Sequence, residues 1–441
     1  AMLGAADPAR VLPPHLPGPP RGRTVVVGVG KAAAAMAAAV EAHWPADAPL
    51  RGLVVVPAGA VLPLQRIRAV EASHPVPDER STAAGQALLA EVGGLGPDDL
   101  VLALVSGGGS ALCALPAPGL APADKQRITR DLLARGATIA EINTVRRHLS
   151  AIKGGRLAAA AHPARVVSLV LSDIPGDDPA LVASGPTLAD ASTCADAGAV
   201  LARYGIEPGA VVHAAWQRGE WESVKPGDPR LAGHERHLVG SAWDGLQAAA
   251  QEARAAGWAC HILADAMEGE ARELALAHAA IARSVAERGV PFVPPCILLS
   301  GGEATVTLKK RRAAPELLDP LGGRAAASGG LGGAMDGKGR GGRNTEFALA
   351  LALALQGHPR IHALSAGTDG LDGSAGAAGA WIDPTTIERA RARGLDLRSR
   401  LDDNDSAGAL TALDALIHTG PTHTTINDFR ALLIESGSVR T

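Results

Sequence analysis

Residues 101–110, VLALVSGGGS, constrain this chain more than any other stretch: an apolar, partly β-branched run stops abruptly at Ser106, Gly107, Gly108, Gly109 and Ser110. A strand ending this way opens into a loop whose backbone can approach an anion. Three consecutive positions lack the Cβ that would hold a ligand off, and they tolerate the φ > 0 turns that aim several N–H groups at one point. The flanking serines add hydroxyl donors. Strand-to-helix bends often carry a glycine or two for steric reasons alone. Open α/β sheets, however, bind ligands at the carboxyl ends of their strands, so these five residues are read as a substrate- or phosphate-binding loop.

Strand-like runs at 24–27, 52–56, 69–72, 166–171, 238–240 and 260–263 alternate with helix-like segments such as 79–92 and 124–134. The alternation predicts an α/β protein whose first part is Rossmann-like, a largely parallel sheet with helices on both faces. At 441 residues the chain exceeds the usual size of one core, so two domains are expected. A charged stretch punctuated by Pro and Gly before residue 237 places the boundary near 235. That divides a large domain, 1–235, which holds the glycine loop, from a C-terminal α/β domain, 236–441, opening on a strand at 237–240. Prolines crowd residues 13–20 and predict an irregular approach to the first strand. Residues 309–340, rich in Gly, Ala and Arg, read as a low-complexity insertion.

A formal charge of −3 argues against a nucleic-acid or membrane-surface partner, and no apolar run approaches the ~18 residues of a membrane span. Cys113, Cys194, Cys260 and Cys296 are scattered in aliphatic contexts without metal-ligand spacing, as expected of reduced core residues in a cytoplasmic protein. Only seven of the forty-two basic residues are lysines. A chain that prefers Arg so strongly makes each ordered Lys a candidate for chemistry a guanidinium cannot do.

Lys31 is such a case. It follows the first strand and Gly28-Val29-Gly30 and opens a helix, where its ammonium would reinforce N–H groups already favouring an anion. Ala33 stands where a dinucleotide fingerprint needs its third glycine. His74, in a turn after the third strand, is a weaker candidate. Asn143, Arg146, Arg147, His148, Lys153 and Arg156 form a basic run that ends in Gly154-Gly155, and helical spacing would put Arg146, Ser150 and Lys153 on one face. Asp173 is delivered by an apolar strand and is suited to accept a hydroxyl proton or to hold Mg²⁺; Asp177 and Asp178 follow in a turn. A second strand runs into Ser300-Gly301-Gly302-Glu303. Arg343 and Asn344 stand at the start of a later helix, where Arg343 could grip a phosphate or carboxylate. Asp369 and Asp372 lie in a Gly-Thr-Asp-Gly loop that suggests metal or hydroxyl handling.

GVGKAAAAM, LVSGGGSAL, EINTVRRHLSAIKGGRLA, LSDIPGDDPALVASGPT, LSGGEATVT, GGRNTEFALA, ALSAGTDGLDG and TGPTHTTIND, in this order, resemble the glycerate 2-kinases whose carboxyl-terminal part is the MOFRL region. The resemblance spans nearly all of the chain from Thr24 onward. It implies transfer of phosphate from ATP to the 2-hydroxyl of D-glycerate with Mg²⁺, in a cleft between two α/β domains. It singles out Lys31, Asp173 and Arg343 as catalytic. Ser106 to Ser110, Asn143, Lys153, Arg156, Gly301, Gly302, Glu303 and Asn344 are expected as substrate and phosphate contacts, and Asp177, Asp369 and Asp372 as metal ligands. A monomer or homodimer is expected. The family also carries the name hydroxypyruvate reductase, so an NAD(P)H-dependent reductase is the competing enzyme and a non-catalytic binder of sugar acid or nucleotide the competing class. Thr345 replaces the family's usual Gln and Gly376 its usual Asp.

Overall fold

The computed structural model describes residues 1–308 and 339–437. The chain divides into two compact units, Ala1–Ala249 with Thr422–Asn427, and Ala250–Pro421 with the segment from Asp428 onward. Most of the insertion read at 309–340 lies outside the described residues.

The first unit is built on six parallel strands: β1 (Thr24–Val29), β2 (Leu50–Pro57), β3 (Ile67–Ala72), β4 (Leu100–Ser106), β5 (Arg165–Leu171) and β6 (Glu235–Gly240), in the order β3-β2-β1-β4-β5-β6. β1 and β4 are buried along their whole length, as their unbroken aliphatic runs require of central parallel strands. Strand β6 pairs with β5, so the run read as the opening of the second half instead closes the first sheet. Between the strands lie α1 (Ala33–His43), α2 (Glu79–Val92), α3 (Gly109–Leu112), α4 (Ile139–His148) and α5 (Arg156–Ala160). Helix α1 is mostly alanine, and with aromatics at 2% of the chain the core is aliphatic and the helix sits close on the sheet. Capping boxes start α2 and α4: Asp78 accepts from Arg80 N at 2.9 Å, and Glu141 Oε2 accepts from Thr138 N at 2.9 Å.

Residues before β1 are not irregular throughout. Met2–Ala5 and Pro8–Val11 are short helices, because Asp7 caps the second and Pro8 occupies a first-turn position where a missing N–H costs nothing.

Helix α6 (Ala242–Ala255) leads into the second unit, followed by β7 (Ala259–Ala264), α7 (Ala271–Arg288), β8 (Cys296–Gly302), α8 (Arg343–Leu355), β9 (Ile361–Gly367), β10 (Gly379–Ile382), β11 (Leu416–Ile417) and β12 (Asp428–Ile434). The sheet order is β11-β10-β9-β12-β8-β7, and β12 runs antiparallel to both β8 and β9. This second sheet is therefore mixed. Helix α8 is buried nearly all round, in keeping with its run of Leu, Ala and Phe. All four cysteines are free and buried. Among the described residues no helix is long and apolar enough to cross a membrane.

Candidate active site

The order of the first sheet creates a switch point: from β1 the chain builds outward to β2 and β3, then returns to place β4, β5 and β6 on the other side. Ligands of open α/β sheets bind in the crevice at the carboxyl ends of the strands that flank such a point. Here those ends are Lys31 after β1 and the glycine loop after β4. Backbone holds them together: Lys31 N–H donates to Gly107 O at 2.9 Å, and Ser106 Oγ accepts from Ala32 N at 3.1 Å. Ser106 is fully buried, so its hydroxyl fastens the β1 turn and does not face a ligand.

Asp173 is brought to the same place. β5 pairs with β4 in parallel register, Ser106 opposite Leu171, which puts Asp173 just beyond the strand end. A Cβ on Gly107 would lie 1.5 Å from Asp173 Oδ2, so the glycine's missing side chain is the room the carboxylate occupies. Gly108, at φ +80°, has Lys31 Cγ and the exposed His74 ring on its other side, 3.3 Å and 3.1 Å from where a Cβ would stand. A lysine, a carboxylate and a histidine thus surround two glycines, Gly107 buried and Gly108 half-buried. Asp177, also at positive φ, lies in the turn that follows, and Asp178 caps that turn by accepting from Ala180 N at 2.9 Å.

Ser110 ends the loop and is held twice. Its Oγ is 2.6 Å from Ser184 Oγ, and its carbonyl accepts from Lys153 Nζ at 3.1 Å. Lys153 Nζ also donates to Ala183 O at 3.2 Å, and Ser184 Oγ donates to Asn143 Oδ1 at 3.3 Å. Ala183, Ser184 and Gly185 are three successive left-handed residues, at φ 51°, 61° and 58°. For the two that carry a Cβ this costs roughly 1–2 kcal/mol each. Strain of that size persists where a site needs the geometry.

Helix α4 ends at His148, so Arg146, Ser150 and Lys153 do not share a helix face; a turn pinned by Ser150 Oγ, accepting from Lys153 N at 3.3 Å, brings Lys153 inward. Arg156 donates to the carbonyls of Arg147 at 2.9 Å, Lys153 at 2.7 Å and Trp221 at 2.6 Å. It staples backbone; the sequence had offered it as a phosphate contact.

Burial lowers the Lys153 pKa to about 7, a shift that nearby Cys113 opposes and Arg146 assists. A lysine with a folded pKa below its unfolded one binds fewer protons when folded, so its contribution to stability is lowest below pH 7 and recovers as the pH rises toward the ordinary lysine value. The stability of the wild type relative to Lys153→Met is therefore expected to increase between pH 7 and pH 9, by up to about 1.4 kcal/mol per pH unit. Denaturant unfolding at the two pH values measures it. A difference that does not change with pH would show that Lys153 keeps an ordinary pKa.

In the second unit Arg343 opens α8, with Gly342 as the N-cap. Its Nε donates to Asp428 Oδ1 at 2.7 Å and an Nη to Glu303 Oε1 at 2.8 Å. Burial disfavours the charge, but Asp428 and Glu303 more than offset that and hold its pKa above the ordinary arginine range. Asp428, fully buried at the start of β12, also accepts from Asn344 Nδ2 at 3.0 Å, Arg430 Nη2 at 3.0 Å and Ala304 N at 3.2 Å. Asn344 is buried and takes Ser365 Oγ at 2.7 Å on its carbonyl, so it positions Asp428.

Gly301 and Gly302 do not form an open turn. They lie within β8, paired with Phe429 and Asp428 of β12, while exposed Glu303 emerges beyond them. Asp372 is spent at the start of α8: Oδ1 accepts from Asn344 N at 2.9 Å, and Oδ2 from Thr345 N and Thr345 Oγ1, both at 2.8 Å. A helix-capping carboxylate with both oxygens engaged is a poor metal ligand. Asp369 stays half-buried in the loop after β9, accepting from Leu371 N at 3.0 Å. Thr345 is satisfied by Asp372 and by Ser406 Oγ at 2.9 Å, and Gly376 at φ +69° has open space where a Cβ would be, so neither departure disturbs the packing. The reading of single motifs missed Asp428 as an organising residue, whereas the Ser184-Gly185-Pro186-Thr187 turn reads as part of the Asp173 site. The signal available for Asp428 was the Asn-Asp pair before a terminal apolar run.

Together these features define a class: an α/β protein of two units, with a glycine loop at the switch point of one and a carboxylate-held arginine at a helix start in the other. Family models match residues 1–215, described as a domain of unknown function, DUF4147, and residues 296–428, described as the MOFRL family. A protein of Agrobacterium vitis named provisionally as a hydroxypyruvate reductase is 49% identical, covering 98% of this chain and 92% of that one. D-glycerate 2-kinase of Thermotoga maritima is 39% identical, covering 97% and 94%. A crystal structure of glycerate kinase from Thermotoga maritima superposes with a TM-score of 0.81 at 37% identity, covering 98% and 96%. The chain belongs to this DUF4147–MOFRL family, which bears both the glycerate kinase and the hydroxypyruvate reductase names.

Proposed function

We propose that the protein is a glycerate kinase that transfers the γ-phosphoryl group of ATP to the 2-hydroxyl of D-glycerate, giving 2-phospho-D-glycerate and ADP. The observation that carries the reading is the meeting of Lys31, the Gly107–Gly108 backbone and Asp173 at the switch point. Phosphoryl transfer needs charge neutralisation and positioning more than covalent chemistry. Lys31 and the glycine N–H groups bind phosphate oxygens; the substrate hydroxyl oxygen attacks γ-phosphorus as the bond to the β-phosphate breaks, and Asp173 takes the hydroxyl proton. Arg343, aimed by Asp428 and Glu303, binds phosphate or carboxylate bidentately. Mg²⁺ would suit the Asp177 carboxylate in the turn after Asp173, whereas Asp372 is spent on the start of α8; when bound it would neutralise non-bridging phosphate oxygens.

The reductase name of the Agrobacterium relative supports a second reading, and the sheet order is one that dinucleotide-binding folds share. Against it, β2 runs out into Pro57, Ala58 and Gly59. Those residues offer no acid for a ribose 2′-hydroxyl, and Ala33 occupies the third glycine position. Incubation with ATP and D-glycerate, followed by phosphorus NMR, is expected to yield the 2-phosphate ester. NADH oxidation by hydroxypyruvate with no phosphoester formed would overturn the kinase reading, and binding without turnover would leave a sensor.

Lys31→Ala is expected to fold and to lose roughly 10²–10³ in turnover, the usual worth of one positioned donor to developing charge. Lys31→Arg should not restore it, since a planar fork does not replace a compact ammonium beside Gly108. Near wild-type turnover in either variant would return Lys31 to the surface.

A further inference from the structure

Adjacent arginines on α4 have different surroundings. Arg147 is buried, and its Nε lies 3.1 Å from Asp190 Oδ2. Arg146, half-buried, has no hydrogen bond and no ion pair among the described residues. Burial pulls its pKa down, and no acid offsets the effect.

The charges that reach Arg146 have the same sign. Lys125 and Lys153 both experience it as a repulsive neighbour. Both are buried, and their ammonium groups are spent on neutral carbonyls: Lys125 Nζ on Leu115 O at 3.1 Å, and Lys153 Nζ on those of Ser110 and Ala183. Among the described residues no carboxylate pairs with any of the three. Burial without a counter-ion disfavours the charged form of each lysine and lowers both pKa values. An anion arriving from solvent would supply the missing charge.

The surrounding donors fit a small one. Asn143 precedes Arg146 by one helical turn and so shares its face. Its Oδ1 is taken by Ser184, while no described residue accepts from its Nδ2. Ser184 in turn contacts Ser110, which leads back to the glycine loop. Arg146 therefore lies along a polar chain, Asn143–Ser184–Ser110, that starts from the opposite end of the loop to Lys31 and Asp173. With both lysines buried, Arg146 is the one cation of the three that is part-exposed, which matches a single carboxylate better than a polyphosphate.

We propose that Arg146, with Asn143 Nδ2, binds the carboxylate of the hydroxy-acid substrate, and that this pair makes the protein selective for acids over neutral alcohols. The proposal rests on the kinase reading and adds the residue that recognises the acid. A guanidinium provides two parallel N–H groups for a carboxylate, a geometry that an ammonium lacks.

The test titrates D-glycerate calorimetrically, without ATP, into the full-length wild type, Arg146→Met and Arg146→Lys, and measures KM for each substrate. Arg146→Met is expected to weaken D-glycerate roughly 10²-fold, the usual cost of truncating one partner of a desolvated charge pair. KM for ATP should not change. Its melting temperature without ligand should equal or exceed the wild type's, because a repelled cation has been removed; a structural arginine would give a fall. Arg146→Lys should recover only part of the affinity. Glyceramide, the neutral amide, should bind weakly to the wild type and no worse to Arg146→Met.

Unchanged D-glycerate affinity in folded Arg146→Met would overturn the proposal and leave the kinase reading standing, as would a loss confined to ATP. Equal wild-type affinity for the acid and the amide would overturn it even if the variants failed to fold. A wild type that neither binds nor phosphorylates D-glycerate would overturn both readings.

Discussion

Asp173→Asn is expected to fold normally and to lose roughly 10² to 10⁴ in turnover, the worth of a positioned proton acceptor. The carboxylate is where it is because β5 lies beside β4 in register and because position 107 has no side chain. Asparagine keeps the size that fits against Gly107 and a weak metal-ligand oxygen, but it loses the basicity. If Asp173 is the base, the Mg²⁺ concentration for half activity should stay nearly constant as turnover falls. A steep rise in the Mg²⁺ requirement, with partial recovery in excess metal, would make it chiefly a ligand. Gly107→Ala offers an independent check. A methyl placed 1.5 Å from Oδ2 must push the carboxylate aside, so this variant should lose turnover comparably with residue 173 unaltered. Turnover unchanged by Asp173→Asn at every Mg²⁺ concentration would remove Asp173 from the site.

The second large effect is on stability. Asp428→Asn should cost about 3–5 kcal/mol in denaturant unfolding, the range for breaking a buried ion pair by removing one partner. Asp428 is fully buried and answers two guanidiniums, those of Arg343 and Arg430, and Arg430 is itself fully buried. Removing the anion leaves Arg430 with a charge that burial already disfavours. Turnover should fall as well, since Arg343 loses the contact that aims it. Adding Arg430→Met to Asp428→Asn should restore part of the stability, because residues in one network are not additive, but it should leave turnover low. A loss below about 1 kcal/mol for Asp428→Asn would show that the network is solvated, contrary to its burial.

Much of the first unit was legible in the sequence because its strands are unbroken aliphatic runs ended by glycine or by a capped helix. β4 needs only local information: seven buried residues in a row, then three glycines. The partners of those strands were not legible, since a parallel strand pairs with a neighbour dozens of residues away and its own pattern does not say which. β12 was not read as a strand at all. Its buried face carries Asp428, Arg430, Leu432 and Ile434, so two of its four core positions are charged and the apolar alternation disappears. Once it is in place between β8 and β9, the Ser-Gly-Gly run that resembles a second anion loop becomes the interior of a strand.

The sequence by itself determined where the candidate groups stand: a glycine loop after a strand, a lysine at a helix start, an acid at a strand end and an arginine after glycines. Tertiary structure alone decided which of these charged groups are held by partners. Arg147 and Arg146 are indistinguishable as letters, yet one meets Asp190 and the other has no ion pair among the described residues. Arg343 and Asp428 are 85 residues apart in the chain and 2.7 Å apart in space. Hydrophobic periodicity is a short-range property that a few turns of chain can display. Charge pairing depends on separations of a few ångströms and on the exclusion of water, and both exist only once the chain has folded.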